Sequence, residues 1–180
     1  MFMVYKDCNI IMVSGLPCSG KSTLSKDLAK IYRWKHHSNG DMLREEWRNS
    51  GDARPFEEWW AGFSREQNLQ IEKNAREILQ KGYFVADVKY HKTYEGLPGL
   101  KIFVSAAIEA RVERAREKYN GKPVPEIRRL LEKREADEVA AGIDLYGYDF
   151  REGKYDLFLR SDELPIEEEI EIVTSYLPPR

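Results

Sequence analysis

One stretch constrains this chain more than any other. Gly15-Leu-Pro-Cys-Ser-Gly20-Lys21-Ser22-Thr23 satisfies the pattern G-x-x-x-x-G-K-[ST]. It lies between the apolar run Asn9 to Ser14 and a segment in which Leu24, Leu28 and Ile31 recur at i, i+4 and i+7. An unbroken apolar run reads as a strand buried on both faces of a parallel sheet, and the recurrence reads as the inner stripe of a helix running from about Gly20 to Tyr32. Strand, glycine-rich turn and helix form half of a βα unit, which points to an α/β architecture. The two glycines let the backbone wrap with its N–H groups inward, an anion-binding concavity that the helix N-terminus reinforces. Lys21 adds a point charge for β- and γ-phosphates, and the Ser22 hydroxyl is placed to hold Mg²⁺. The expected contacts to a nucleoside triphosphate are Gly15, Cys18, Ser19, Gly20, Lys21, Ser22 and Thr23. Cys18 is expected to be a small residue at a permissive position rather than a reactive thiol.

The rest of the chain repeats the alternation. Lys35 to Ser38 is a candidate second strand, and Gly40 to Asn49 reads as a helix carrying Met42, Leu43 and Trp47, broken by Gly51 to Pro55. One longer helix is predicted next, with Ile71, Ala75, Ile78 and Leu79 on one side and a stop at Lys81-Gly82. Tyr83 to Val88 and Leu100 to Ser105 read as the third and fourth strands, and Ile108, Val112, Ala115 and Tyr119 trace the helix that follows. Asn120 to Pro125 is a loop. Glu126 to Ala141 is a densely charged helix anchored by Ile127, Leu130, Leu131 and Val139, expected to be mobile and solvent-rich. Tyr155 to Arg160 supplies a fifth strand. Pro165 then opens a last helix, with Glu167, Glu168 and Glu169 favouring its dipole and Ile166, Ile170, Val173 and Leu177 packing it down. Five strands interleaved with helices predict a three-layer α/β domain with a five-stranded parallel sheet.

Composition bounds the remainder. A chain of 180 residues is about one domain's worth, so residues 1–180 are read as a single unit. Lys plus Arg is 29 and Asp plus Glu is 31, a formal charge of −2, which excludes a basic nucleic-acid coat but not a basic pocket for small anions. No apolar run reaches the ~18 residues of a membrane span, and Met1 to Asn9 lacks the pattern of a signal peptide, so a cytoplasmic chain is expected. Cys8 and Cys18 are expected as thiols there. His36, His37 and His91 show no metal-ligand spacing, and Trp47, Trp59 and Trp60 read as core or pocket wall, because no basic stripe accompanies them.

Ser38-Asn-Gly-Asp41-Met-Leu-Arg44 resembles the S-x-G-D-x-x-R segment of P-loop nucleoside monophosphate kinases, both adenylate kinases and the compact cytidylate kinases of archaeal type. The resemblance covers most of the chain and implies the three-layer P-loop kinase fold, an acceptor-binding helical segment at about 38–80 and a helical lid at about 120–147. It assigns Arg44 to the acceptor's α-phosphate and sets Ser38 and Asp41 against the acceptor. Asp87-Val-Lys89 stands where cytidylate kinases carry an [ED]-G-R turn, so Asp87 falls to the Mg²⁺ water shell and Lys89 to the acceptor. Lysine keeps the charge of the family's arginine but loses its fork. Arg114 corresponds to the arginine that stacks on the ATP adenine, Ser161 lies in the loop lining the same pocket, and Lys118 is a candidate phosphate contact. Lys133-Arg134-Glu135-Ala-Asp137-Glu138 resembles the lid's R-[DE]-x-x-[DE] core. By that resemblance Arg134 stabilises the transferring phosphoryl group and Glu138 lies near the cytosine. The second lid arginine, expected seven residues on, is Ala141 here, with Arg128 or Arg129 as the alternatives.

The function so implied is ATP- and Mg²⁺-dependent phosphoryl transfer by a monomer to a nucleoside monophosphate, with CMP or dCMP first, and with Lys21, Arg114 and Arg134 catalytic. Two alternatives stand beside it. One is a kinase of a small-molecule hydroxyl with Asp41 as base, since a hydroxyl acceptor must lose a proton that a monophosphate has already lost at pH 7. The other is a nucleotide-binding switch or assembly ATPase acting through a partner.

Overall fold

The computed structural model describes residues 8–179; the reading of the first residues as free of a signal peptide concerns positions 1–7, which lie outside them. Five strands form one parallel sheet: β1 (Ile10–Gly15), β2 (Lys35–Ser38), β3 (Phe84–Asp87), β4 (Leu100–Ser105) and β5 (Leu157–Arg160), in the order β2-β3-β1-β4-β5. The first strand is central and buried along its whole length, which is why its sequence is apolar without alternation. α1 (Lys21–Tyr32) buries Leu24 and Leu28 against Val13, Val85 and Val104, and α7 (Ile166–Tyr176) closes the same layer through Val173. On the opposite face Ala75 and Leu79 pack on Ile10, Met12 and Ala86.

Register decides where chemistry can happen. Val13 pairs with Asp87, Asp87 pairs with Ser38, and Gly15 pairs with Val104. The carboxyl ends of the strands therefore bring the glycine-rich turn, Asp87 and Ser38 to one edge, beside the strand where the chain order reverses, the usual ligand crevice of an open α/β sheet.

Two expectations change. The single helix predicted after Pro55 is two, α3 (Phe56–Ala61) and α4 (Arg65–Leu79), because Ser64 and Gln67 form a reciprocal capping box that starts a new helix. The preceding α2 (Asn39–Ser50) begins at Asn39, capped by Ser38. The charged segment is α6 (Val124–Tyr146), largely exposed or half-exposed along its length but anchored by a few buried residues. Ile127 and Leu131 pack with Val112 and Ala115 of α5 (Ile108–Ala115), while Val139, Leu145 and Tyr146 join a cluster around Tyr90, Phe103 and Phe150. Its charges point in several directions, and its apolar residues anchor both ends. Among the described residues no helix is long and apolar enough to cross a membrane.

Candidate functional site

The glycine-rich turn is fixed at both ends. Leu16 N–H donates to the Val104 carbonyl at 3.1 Å, and a Cβ at Gly15 would meet that carbonyl oxygen at 2.2 Å, so only glycine passes. Gly20 enters α1 at φ 93°, and Cys18 also adopts a left-handed φ of 59°. The Cys18 position is therefore not permissive: its side chain packs on the α5/α6 cluster while the backbone bends around the concavity. First-turn amides of a helix have no carbonyl one turn earlier, so those following Gly20 are available to phosphate oxygens. Thr23 lies in this turn, its amide donating to the Gly20 carbonyl.

Ser22 Oγ donates to Asp87 Oδ2 across the β1/β3 edge. A hydroxyl and a carboxylate side by side are hard oxygen donors suited to Mg²⁺, which keeps most of its waters and completes its shell with substrate phosphates. No group of three or more His, Cys, Asp or Glu among the described residues forms a metal cage. The residues present fit a nucleotide-borne Mg²⁺, which Ser22 and Asp87 would hold.

Beside the glycine-rich turn, Arg114 at the end of α5 donates to Ser161 through Nη1 to Oγ at 2.8 Å and Nη2 to the carbonyl at 2.7 Å. The Ser161 hydroxyl in turn donates to the Ser19 carbonyl. A Cβ at Gly20 would lie 3.7 Å from both Arg114 Nη1 and Ser161 Oγ, so this pair borders the phosphate loop directly. Asp162 anchors the loop by accepting from the Ala107 amide at 3.0 Å.

At the end of β2, Ser38 Oγ accepts the Asp41 amide at 3.2 Å and so caps α2. The cap sets Arg44, one turn on, above Gly40: a Cβ at Gly40 would come within 3.1 Å of its Nη1. The guanidinium lies 5.0 Å from the Phe56 ring centroid and 3.6 Å from Asp41, whose other oxygen is 3.3 Å from Lys26.

The centre of the cleft is electrostatic. Lys89, held by the Ser14 hydroxyl on its carbonyl at 2.8 Å, pairs with Glu138 of α6. Arg134 Nε donates to the same carboxylate oxygen at 2.9 Å, and the other oxygen, Oε2, is buried with no hydrogen-bond partner among the described residues. Burial works to raise the Glu138 carboxyl, but Lys89, Arg134 and Lys21 outweigh it and bring it down to about 2. Burial also lowers the Lys89 ammonium, to about 8, with Glu138 opposing and Lys21 and Arg134 assisting. The fields of three cations from three elements thus converge on one carboxylate.

The remaining expectations are placed as follows. Lys118 bridges to Glu57 of α3 at 3.2 Å, across the mouth of the cleft. Arg128 is engaged by Glu109 of α5 at 3.0 Å, Arg129 is exposed, and Ala141 sits in the apolar cluster around Phe150, so neither arginine replaces a second lid arginine in this conformation. Sequence reasoning missed Glu72. It is buried on α4, takes hydrogen bonds from Tyr94 at 3.0 Å and Asn39 at 3.3 Å, and burial pushes it up to about 7 despite them. The signal was available: positions 72, 75 and 79 share one helix face, and Ala75 and Leu79 were recognised as its inner side.

The AAA domain family matches residues 14–138, from the phosphate loop through Glu138. The chain belongs to the AAA domain family. Curated relatives of this AAA-domain chain include cytidylate kinases. That of Methanopyrus kandleri is 29% identical over 182 residues, covering 94% of this chain and 93% of the relative. That of Methanocaldococcus jannaschii is 28% identical, covering 92% and 96%. Shikimate kinase from Bacteroides thetaiotaomicron shares the fold at a TM-score of 0.62 with 14% identity, covering 92% of this chain and 96% of that one. The architecture is that of P-loop kinases, a three-layer α/β fold with a five-stranded parallel sheet, and this AAA-domain chain is a P-loop kinase.

Proposed function

We propose that the protein transfers the γ-phosphoryl group of ATP to a nucleoside monophosphate, CMP or dCMP, with Mg²⁺ bound by Ser22 and Asp87. Residues 1–180 act as one kinase unit, a cytoplasmic monomer, with 38–80 as the acceptor segment and 120–147 as the lid. The observation that carries this reading is the set Lys21, Lys89, Arg134 and Glu138, with one carboxylate oxygen of Glu138 left unpartnered in a buried cleft.

Phosphoryl transfer needs alignment and charge neutralisation more than covalent help from the protein. The turn amides of Cys18, Gly20, Lys21 and Ser22 wrap the β-phosphate, and Lys21 bridges β- and γ-oxygens. Arg114 and the Ser161 loop hold the adenine. Mg²⁺, which Ser22 and Asp87 would hold, would supply charge neutralisation for the transferred group. Arg44 grips the acceptor's phosphate with a two-pronged fork and holds it in line, Ser38 and Asp41 fixing the turn that presents it. Arg134 faces the transferring group. The acceptor phosphate is already largely ionised at pH 7, so no base is required.

Glu138 Oε2 is an acceptor without a donor. The N4 amino group of cytosine supplies one, whereas uracil presents a carbonyl oxygen at that place. Leaving a buried carboxylate facing an acceptor costs about 1–3 kcal/mol or more, so cytosine is favoured over uracil by roughly tenfold or greater. The cytidylate kinase relatives support this choice. The test is an acceptor panel of monophosphates with ATP and Mg²⁺ fixed, following ADP. CMP or dCMP should lead; no diphosphate from any monophosphate, together with turnover of a hydroxyl substrate, would overturn the reading in favour of an Asp41-dependent hydroxyl kinase.

A further inference from the structure

An open surface groove of about 560 Å³ runs along α1, lined by Lys26, Ala29, Lys30, Arg33, Trp34 and His36. The phosphate loop contributes nothing to its walls. Its cations follow from helix geometry: positions 26, 30 and 33 recur at i, i+4 and i+7, so the three charges stand on one face of α1. No carboxylate lines it. Lys26 and Lys30 are held from outside by Asp41 at 3.3 Å and Asp27 at 2.8 Å, and exposed pairs of this kind are worth little enough for a phosphate to displace.

The last carbonyls of α1 do not use these charges. The Arg33 and Trp34 amides occupy the Lys30 and Ala29 carbonyls, at 3.2 and 3.0 Å. Arg33 adopts a left-handed φ of 56° at this cap, ending the helix where the groove begins. The Trp34 ring is braced by Tyr32 at 5.0 Å and by Tyr83, edge-on, at 5.9 Å, a rigid half-buried aromatic beside three cations.

We propose that this groove is a second nucleotide site, separate from the phosphate loop, in which Lys26, Lys30 and Arg33 hold the phosphates and the Trp34 ring takes the base. The groove is also linked to Ser22 by hydrogen bonds. Ser25 Oγ donates to the Ser22 carbonyl at 3.1 Å, so its lone pair accepts from His36 Nε2, also at 3.1 Å. The hydrogen bonds from His36 thus reach the main chain of Ser22, the residue whose separate side-chain hydroxyl meets Asp87.

Equilibrium dialysis with ATP as probe tests the site in four proteins: wild type, Lys21→Ala, Lys30→Glu with Arg33→Gly, and the combination. Arg33→Gly removes the charge where glycine is at home in the left-handed cap, and both positions are exposed, so the fold is retained. Lys21→Ala should keep one equivalent at the groove. Lys30→Glu with Arg33→Gly should weaken that equivalent by about tenfold or more, as expected for removing two charge-assisted contacts. Inorganic tripolyphosphate should bind the same site more weakly than ATP, because it has no base for Trp34. Unchanged ATP binding in the groove variant, or no binding to Lys21→Ala, would overturn the proposal. Tripolyphosphate binding as tightly as ATP would reduce the site to a cation patch and overturn its nucleotide character. Failure of the phosphate-loop reading shows separately, as full wild-type stoichiometry in Lys21→Ala.

Discussion

Glu138→Gln should destabilise the protein near neutral pH more than any surface substitution does. The Glu138 carboxyl falls from 4.5 to about 2 in the folded chain, which at 1.36 kcal/mol per pH unit corresponds to roughly 3 kcal/mol of stabilisation of the ionised form. Its folded value lies below its unfolded one. The stabilisation is therefore present above pH 4.5 and is lost as pH falls toward 2. Lys89 moves the other way, from 10.5 to about 8, so keeping it charged works against the fold by a similar amount. The pair as a whole is close to break-even, while either partner alone is a buried, uncompensated charge. Urea unfolding at pH 7 should then show Glu138→Gln losing roughly 3 kcal/mol, with Lys89→Met in the same chain restoring most of it. Below pH 4.5 the wild type should weaken more steeply than Glu138→Gln, which keeps only the shallower acid limb of other lowered carboxylates such as Asp149 and Asp162. Additive effects of the two substitutions, or an acid limb equally steep in Glu138→Gln, would refute a buried pair at the centre of the cleft.

Further outcomes follow from the same geometry. Lys21→Ala should abolish ADP production with the best acceptor, since the lysine bridging the β- and γ-phosphates is gone; steady-state rates check it. Asp41→Asn should keep turnover of CMP within about threefold, because the acceptor phosphate needs no base, whereas loss of about a hundredfold or more would mark Asp41 as a base. Arg114→Ala should raise KM for ATP more than it lowers kcat, as its two bonds to Ser161 hold the donor pocket rather than the reacting phosphate. Burial raises Glu169 to about 7, eased by Arg114, so its contribution to stability is present below pH 4.5 and lost as pH rises through 7. Glu169→Gln should therefore raise the urea midpoint at pH 8 relative to wild type, and by less at pH 5.

Much of this was legible in the sequence because it is local. The phosphate loop, α1 and the apolar strands are written in consecutive residues, and periodicity alone set their order. The parting of α3 from α4 was legible in Ser64 and Gln67, a cap signature that the apolar stripe further on overshadowed. Pairings between distant elements were not legible. Glu138 and Lys89 are far apart in the chain, and nothing in either neighbourhood shows that Arg134 and Lys89 take the same carboxylate oxygen. The network of Arg111, Glu135 and Arg151, with contacts of 2.9 and 3.0 Å, was missed for the same reason. Net charge hid all of this. A formal −2 is compatible with Lys21, Lys89 and Arg134 concentrated at one cleft and Lys26, Lys30 and Arg33 at another, while Glu167, Glu168 and Glu171 stand on α7.

The departures from the cytidylate kinase pattern make one change rather than three. Val88, where the pattern has glycine, is a core residue that packs with Phe84 and Tyr94 and fixes the turn leading to Lys89. The Lys89 ammonium is a compact charge that fits a buried place 5.9 Å from the Phe150 ring and against Glu138, where a planar fork would present more donors than the site can partner. Ala141 packs in the same Phe150 cluster, so an arginine there would have to bury its stem and head among Tyr90, Phe103 and Tyr146. With Arg134 already on Glu138, an added cation would take the one free oxygen of that carboxylate, which the proposed function leaves to the acceptor's base. Lysine at 89, valine before it and alanine at 141 are mutually consistent with a single buried carboxylate balanced by two cations. An Ala141→Arg substitution should therefore lower both stability and CMP turnover, and a gain in turnover would show that the cleft still has room for the missing lid arginine.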